Sequence, residues 1–147
     1  MATSSLRAPA ARDSAGVDAA LLILRVVLGL LILLHGVNKL PPPPPEFLTT
    51  ALSARGLPSV LAYGVYLGEI VGPILIIVGI WTRLGALLIV GNMVVAVLLA
   101  HGGDLLHLNK QGGYELELQA MYLFTAVALT LTGAGRYSVG GRYGPLN

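Results

Sequence analysis

A carboxylate lies in the middle of an apolar stretch of the sequence, where a charge is costly. Glu69 stands between "PSVLAYGVYLG" and "IVGPILIIVGI". Ionisable residues at membrane depth usually face a bundle interior or a cavity. Counting 1.5 Å per residue from the ends of the apolar stretches places Arg25 about 10 Å deep, Asn92 about 13 Å and Glu69 about 16 to 18 Å. We therefore expect Arg25 to bind Glu69, with Asn92 as a third member.

The expected pair of Arg25 and Glu69 has two interpretations. It is a site that handles protons or binds a polar head group, or it is a structural ion pair that fixes the register of two helices. A buried ion pair is by itself weak evidence for stability. The residues alone do not separate the two interpretations.

A second polar group gathers near the opposite ends of the same apolar stretches. Its members are His35, Lys39, His101, Glu115 and Glu117, with Gln119 beside them. Such a group could exchange protons or bind a quinone head group, an anion or a metal. No H-x-x-x-H or E-x-x-H spacing occurs, so no metal site is predicted. Taken singly, each histidine is better explained as an interfacial residue, and the convergence of several groups favours a binding site.

The composition requires membrane helices to position these residues. The chain has 147 residues, of which 55% are hydrophobic and 11% charged, with a mean hydropathy of +0.79. Soluble domains carry about 25% charged residues. Apolar stretches of about 20 residues cross a bilayer as helices, so the sequence predicts an all-α integral membrane four-helix bundle. The predicted spans are 18–40, 58–81, 83–101 and 114–133, within a domain at 18–138 between a disordered tail at 1–17 and a C-terminal tail at 139–147.

The charge distribution gives an orientation and excludes several functions. Five arginines lie on the side of the predicted termini and three basic residues on the other side, which favours cytoplasmic termini. The nine lysines and arginines form no basic patch, so a nucleic-acid partner is not predicted. The absence of cysteine excludes disulfides, thiolate chemistry and iron–sulfur clusters with cysteine ligands.

Small residues predict how the helices pack. Gly64, Gly68 and Gly72 recur every four residues on the second span, a spacing that lets membrane helices approach closely. Gly29 and Gly36 on the first span are the expected receiving face.

Prolines shape two other places in the sequence. A run of five prolines at 41–45 predicts a stiff loop, followed by a short interfacial helix around 47–52. Pro73 predicts a local kink in the second span.

Several stretches, in the same order, resemble the DoxX family of small bacterial membrane proteins. They are "LRVVLGLLILLHGVNKL", "GLPSVLAYGVYLGEIVGPILIIVGIWTRLGA", "NMVVAVLLAH", "GGYELELQ" and "GAGRYSV". The resemblance implies a four-helix bundle in the bacterial cytoplasmic (inner) membrane. It also implies a link to quinone oxidoreductases, because the family takes its name from subunits of such enzymes in sulfur metabolism.

Three functions follow as hypotheses. The first is an accessory membrane subunit of a redox or quinone-linked system, with quinone as its cofactor and an oxidoreductase as its partner. The second is a non-catalytic membrane scaffold for partner proteins. The third is a small transporter that works as a homo-oligomer among membrane lipids. The sequence carries no flavin, haem or iron–sulfur motif, so it assigns no enzymatic activity and any electron transfer requires a partner.

Overall fold

The computed structural model describes residues 11–100, 102–110 and 112–147, with side chains described from residue 15. Five helices follow one another along the chain: α1 (Ala11–Asn38), α2 (Glu46–Ser53), α3 (Ser59–Val78), α4 (Thr82–Ala100) and α5 (Glu117–Thr132). No strand occurs in these residues, and the predicted all-α class is confirmed. We call the end of the bundle where α1 ends and α3 begins the upper end, and the end where α3 meets α4 the lower end.

Among the described residues, three helices are long and apolar enough to cross a membrane: Ala15–Asn38, Ser59–Val78 and Thr82–Ala100. The fourth predicted span, 114–133, is helical only over Glu117–Thr132. Its 16 residues reach about 24 Å at 1.5 Å per residue, short of the roughly 30 Å of a hydrocarbon core. Large apolar side chains stay exposed along the helices, as the lipid-facing surface of a membrane protein requires.

The first helix begins earlier than the sequence predicted. The prediction placed a disordered tail at 1–17, whereas α1 already begins at Ala11. No proline follows Pro9 before the apolar stretch and alanines are frequent there, so nothing interrupts the helical backbone. Residues 1–10 of the predicted tail lie outside the described residues.

A wide turn in α3 surrounds Glu69. The helix runs as 3₁₀ over Ser59–Tyr63, as α over Gly64–Tyr66, as a π-turn over Leu67–Val71, and as α again over Gly72–Val78. Pro73 has no N–H to donate to the carbonyl four residues earlier, and its ring would crowd that carbonyl in a regular α-helix. The π-turn relieves this crowding, so the irregularity lies on the N-terminal side of Pro73.

The glycines pack in a different pairing from the one predicted. Gly68 and Gly72 face α4 rather than α1, since a Cβ on Gly68 would meet Asn92 and one on Gly72 would lie 2.8 Å from the carbonyl oxygen of Gly85. A Cβ added to Gly64 would meet nothing within 4 Å, so this glycine packs against no helix.

On α1, Gly29 lies against Ile77 and the carbonyl of Pro73, and Gly36 lies against the backbone of Glu69. As predicted, α3 packs against the two glycines of α1, but through Glu69, Pro73 and Ile77 rather than through its own glycines. The core of the bundle is formed by Leu28, Ile32, Ile76, Ala86, Ile89, Met93, Ala126 and Leu129.

Three arginines bind the C-terminal ends of three helices. The last carbonyls of a helix have no partner within it and carry the negative end of its dipole, so a guanidinium there is favourable. Arg25 binds the end of α3, Arg55 the end of α4 and Arg83 the end of α5. The acceptors are the carbonyls of Ile76 (3.2 Å), Leu98 (3.3 Å), Leu99 (3.2 Å), Thr130 (2.9 Å) and Leu131 (3.0 Å).

The C-terminal segment, residues 133–147, packs against the lower end of the bundle, and it includes the predicted C-terminal tail at 139–147. The side chain of Asn147 is buried, accepts hydrogen bonds from the backbone N–H (3.1 Å) and hydroxyl (2.8 Å) of Thr82, and donates to the carbonyl of Gly79 (3.0 Å). This amide side chain ties the loop between α3 and α4 to the segment, together with the backbone hydrogen bond from the N–H of Gly140 to the carbonyl of Gly79 (2.9 Å). Gly79 itself ends α3 in the left-handed region, with φ 76° and ψ 42°.

Candidate functional site

A cleft of about 840 Å³ opens in the upper half of the bundle, and we call it the upper cleft. It is lined by residues of α1, α3, α4 and α5, and α2 lies against it with Phe47, Leu48 and Leu52. Most of the lining is apolar. Several of the lining side chains, such as Leu87 and Leu98, are more than half exposed, so the cleft is open to the surroundings of the helices.

A polar cluster around Glu69 lies in this mostly apolar lining. Glu69 is buried, with 6% of its surface exposed, and its carboxylate forms an ion pair with the ammonium of Lys39. Asn92 donates from Nδ2 to Oε1 of Glu69 at 3.4 Å. The hydroxyl of Tyr66 donates to the carbonyl of Lys39 at 3.0 Å and so fixes the backbone from which the ammonium extends. Lys39, Glu69 and Asn92 all line the upper cleft.

The expected pair of Arg25 and Glu69 does not form. Arg25 lies at the lower end, fully buried, where Nη1 donates to the carbonyl of Ile76 at 3.2 Å and Nη2 to the carbonyl of Tyr137. Glu69 lies instead beside Gly36. Eleven residues separate Arg25 from Gly36, which is about 16 Å along a helix. The prediction was wrong because it started both helices at the same membrane boundary.

The predicted outer polar group is only partly brought together. His35 lines the upper cleft and meets Tyr122 edge-to-face, with ring centroids 6.3 Å apart and planes at 68°. Lys39 also lines the cleft, but its partner is Glu69. Glu115 and Glu117 are exposed and are not among the lining residues, and His101 lies outside the described residues.

The position of α5 explains why the two glutamates stay outside. The helix begins at Glu117, so Glu115 precedes it and the face that turns to the cleft starts one residue later. Leu118, Gln119 and Tyr122 form that face. Residues three apart on a helix share a face, so the spacing of Gln119 and Tyr122 was a signal for Tyr122 that the sequence analysis missed.

Arg55 is a second residue of the site that the sequence analysis missed. Its guanidinium donates to the carbonyl of Ala51 in α2 (2.9 Å) and to those of Leu98 (3.3 Å) and Leu99 (3.2 Å) at the end of α4. These bonds hold α2 against the upper cleft. The amphipathic α2 buries Leu52 beneath it.

A separate ion pair lies at the lower end and belongs to the C-terminal segment. Asp18 is buried and accepts two hydrogen bonds from Nη2 of Arg142, each at 2.7 Å, and one from the backbone N–H of Arg136 at 3.0 Å. The hydrogen-bonded carboxylate of Asp18 raises the pKa of Arg142 above its ordinary value. This pair fastens the segment to α1 and lies away from the upper cleft.

Comparison with known proteins places the polar cluster inside a shared region. Residues 20–102 match the DoxX family, and this stretch contains Lys39, Glu69 and Asn92 but not α5. The chain is also 32% identical over 126 residues to an uncharacterized protein of Haemophilus influenzae, which covers 84% of this chain and 90% of that protein. No solved structure matches the chain significantly.

Proposed function

The chain belongs to the DoxX family, and we propose that this multi-pass membrane protein binds a quinone or quinol in the upper cleft as an accessory subunit of a redox system. We further propose that it lies in the bacterial cytoplasmic membrane with both termini cytoplasmic. The observation that carries the proposal is the cleft itself, an apolar space with the buried carboxylate of Glu69 in its wall. Pockets of this size, apolar with a few polar groups, suit small lipid-soluble ligands.

The lining residues fit the two parts of such a ligand. Apolar side chains such as Leu87 and Val95 would contact an isoprenoid tail, and their exposure leaves the tail a way in from the lipid. The polar groups at Lys39, Glu69 and Asn92 would lie near the head group. A bound quinone would supply exchange of two electrons and two protons, with the electrons coming from a partner oxidoreductase.

We propose the carboxylate of Glu69 as the group in the cleft wall that handles protons. One of its oxygens contacts the ammonium of Lys39, and the amide of Asn92 contacts the other. The sequence contains no cysteine, so a dithiol on this chain does not supply electrons. We therefore assign this chain the binding of the ligand and proton handling, and assign electron transfer to a partner.

A blocking variant tests the proposal. A Cβ on Gly91 meets nothing within 4 Å, and Gly91 lines the cleft, so Gly91→Leu narrows the cleft and the added Cβ displaces no packed atom. We expect this variant to weaken binding of decylubiquinone to protein in nanodiscs at least tenfold. The matched control is Val94→Leu on the same helix, where the side chain is exposed and is not part of the lining.

Two outcomes decide the proposal. Equal affinities of wild type and Gly91→Leu would refute binding in the cleft. Co-purification from native membranes in mild detergent, with mass spectrometry, tests the partner: an oxidoreductase at stoichiometric amounts supports the accessory role, and a lone homo-oligomer with only phospholipid contradicts it.

A further inference from the structure

The charged side chains that line the upper cleft are already engaged by groups of the protein. The ammonium of Lys39 is paired with the carboxylate of Glu69, and 19% and 8% of these two side chains are exposed. The guanidinium of Arg55 is bound to three backbone carbonyls that hold α2 to α4. Within the Lys39–Glu69 pair a charged head group would find no free counter-charge and would have to break the ion pair to obtain one, whereas Arg55 keeps its charge and is exposed.

Three other polar side chains in the cleft are not committed to a partner. His35, Gln119 and Tyr122 line the cleft, and in the part of the chain that the structure describes none of their side chains makes a hydrogen bond. His35 and Tyr122 contact each other only ring to ring. His35 is exposed and Gln119 and Tyr122 are half-buried, so their polar atoms are accessible to a ligand in the cleft.

We infer that the ligand of the upper cleft has an uncharged, oxygen-bearing head group, and that His35, Gln119 and Tyr122 bind it. The inference rests on the proposed function and names the residues that select the head group. Imidazole, amide and phenol groups all donate as well as accept hydrogen bonds. They can therefore donate to the carbonyl oxygens of a quinone and accept from the hydroxyls of a quinol. Carboxylate and ammonium amphiphiles are disfavoured, because the Lys39–Glu69 pair stays closed on itself.

Two of the three residues lie outside the stretch shared with the family. The family match ends at residue 102, whereas Gln119 and Tyr122 are in α5. The cleft thus combines the Lys39–Glu69 pair and His35 from the matched stretch with two head-group contacts from the unmatched one. This division predicts that substitutions in α5 change which head group is bound, while the apolar tail is still accepted.

Four probes with one ten-carbon tail test the inference: decylubiquinone, its quinol, decanoate and decyltrimethylammonium. The measurement is the dissociation constant for each probe with the full chain in nanodiscs. We expect the quinone and quinol to bind within tenfold of each other and the two charged probes at least tenfold more weakly. Tyr122→Phe keeps the ring against His35 and removes only the hydroxyl, and Gln119→Leu removes the amide. Each should weaken quinone binding about fivefold to tenfold, since each loses one hydrogen bond.

Met121→Leu is the control, because Met121 lies on the same helix, is 66% exposed and does not line the cleft. Charged probes that bind as tightly as decylubiquinone, or unchanged affinity in both Tyr122→Phe and Gln119→Leu, would overturn the inference and leave the proposed function standing. Failure of wild type to bind any of the four probes would instead refute the proposed function, and this inference with it.

Discussion

The energy of the ion pair between Lys39 and Glu69 can be measured by a double-mutant cycle. The variants are Lys39→Met, Glu69→Gln and the double variant, and the quantity is the free energy of unfolding. Methionine keeps an unbranched apolar side chain of similar length, and glutamine keeps the shape of the carboxylate. The cycle separates the energy of the pair from the cost of changing either residue.

The magnitudes follow from the burial of the two groups. Lys39→Met leaves a carboxylate that is 8% exposed with only the 3.4 Å contact from Asn92. Removing one partner of a buried pair costs about 3 to 5 kcal/mol. Because Lys39 is partly exposed, we expect about 3 kcal/mol for this variant. Glu69→Gln should cost about 1.5 kcal/mol, because the ammonium can turn toward water. The double variant leaves no unpaired charge and should cost about 2 kcal/mol, which gives a coupling of about 2.5 kcal/mol.

Unfolding can be followed in mixed micelles with increasing dodecyl sulfate. Trp81 is the single tryptophan and lies in the loop between α3 and α4, so its fluorescence reports on the lower end, while far-UV circular dichroism reports on all helices. Lys110→Met is the control, because Lys110 is exposed in a loop and should change stability by less than about 0.5 kcal/mol. Costs that add within about 0.5 kcal/mol would show that the two side chains do not interact, and would refute the assignment of the pair.

Three further predictions concern packing. Gly36→Ala should lower the free energy of unfolding by about 1 to 3 kcal/mol in the same titration, because its Cβ would enter the backbone of α3. The control is Gly64→Ala, which has open space around it and should be neutral or slightly stabilising. Equal effects of the two substitutions would contradict the packing of Gly36 against α3. Arg25→Met should speed amide hydrogen exchange of the C-terminal segment at least tenfold while α4 stays protected, and unchanged exchange would show that this arginine does not hold the segment. Pro73→Ala should let the π-turn tighten and rotate the carboxylate within it, so that affinity for decylubiquinone falls while helix content by circular dichroism is retained; unchanged affinity would contradict a role for the turn.

The helices were predictable because their signal is local. Apolar stretches of membrane length and the glycine and proline positions indicate an all-α membrane bundle, and the structure has helices at each of the four predicted spans. The contact of Asn92 with Glu69 was also expected from their depths. These properties depend on residues within one helix, or on two helices joined by a short loop.

The partner of Glu69 was not predictable in the same way, because it depends on the axial offset between α1 and α3. Sequence fixes the length of each helix but not how far one slides along the other. Gly36 allows the backbone of Glu69 to come close at the upper end, and this contact sets Lys39 rather than Arg25 beside the carboxylate. The missed contact thus follows from a single small residue in α1.

The docking of the C-terminal segment was missed for a different reason. The segment has no helical or strand period, and it is held by individual polar bonds from Asn147, Arg25 and Asp18. Such bonds join residues far apart in the chain and leave no pattern in composition. The three arginines that bind helix ends are visible in the sequence only as isolated charges beside apolar stretches.

The π-turn in α3 also has a consequence for comparing relatives of this chain. A π-turn holds one residue more than an α-turn, and one residue corresponds to about 100° of rotation around a helix axis. A relative lacking that one residue could keep every helix in place and still present a different side chain where Glu69 stands. A one-residue gap aligned to Leu67–Val71 would therefore mark a change in the chemistry of the cleft wall, even where the flanking helices are nearly identical.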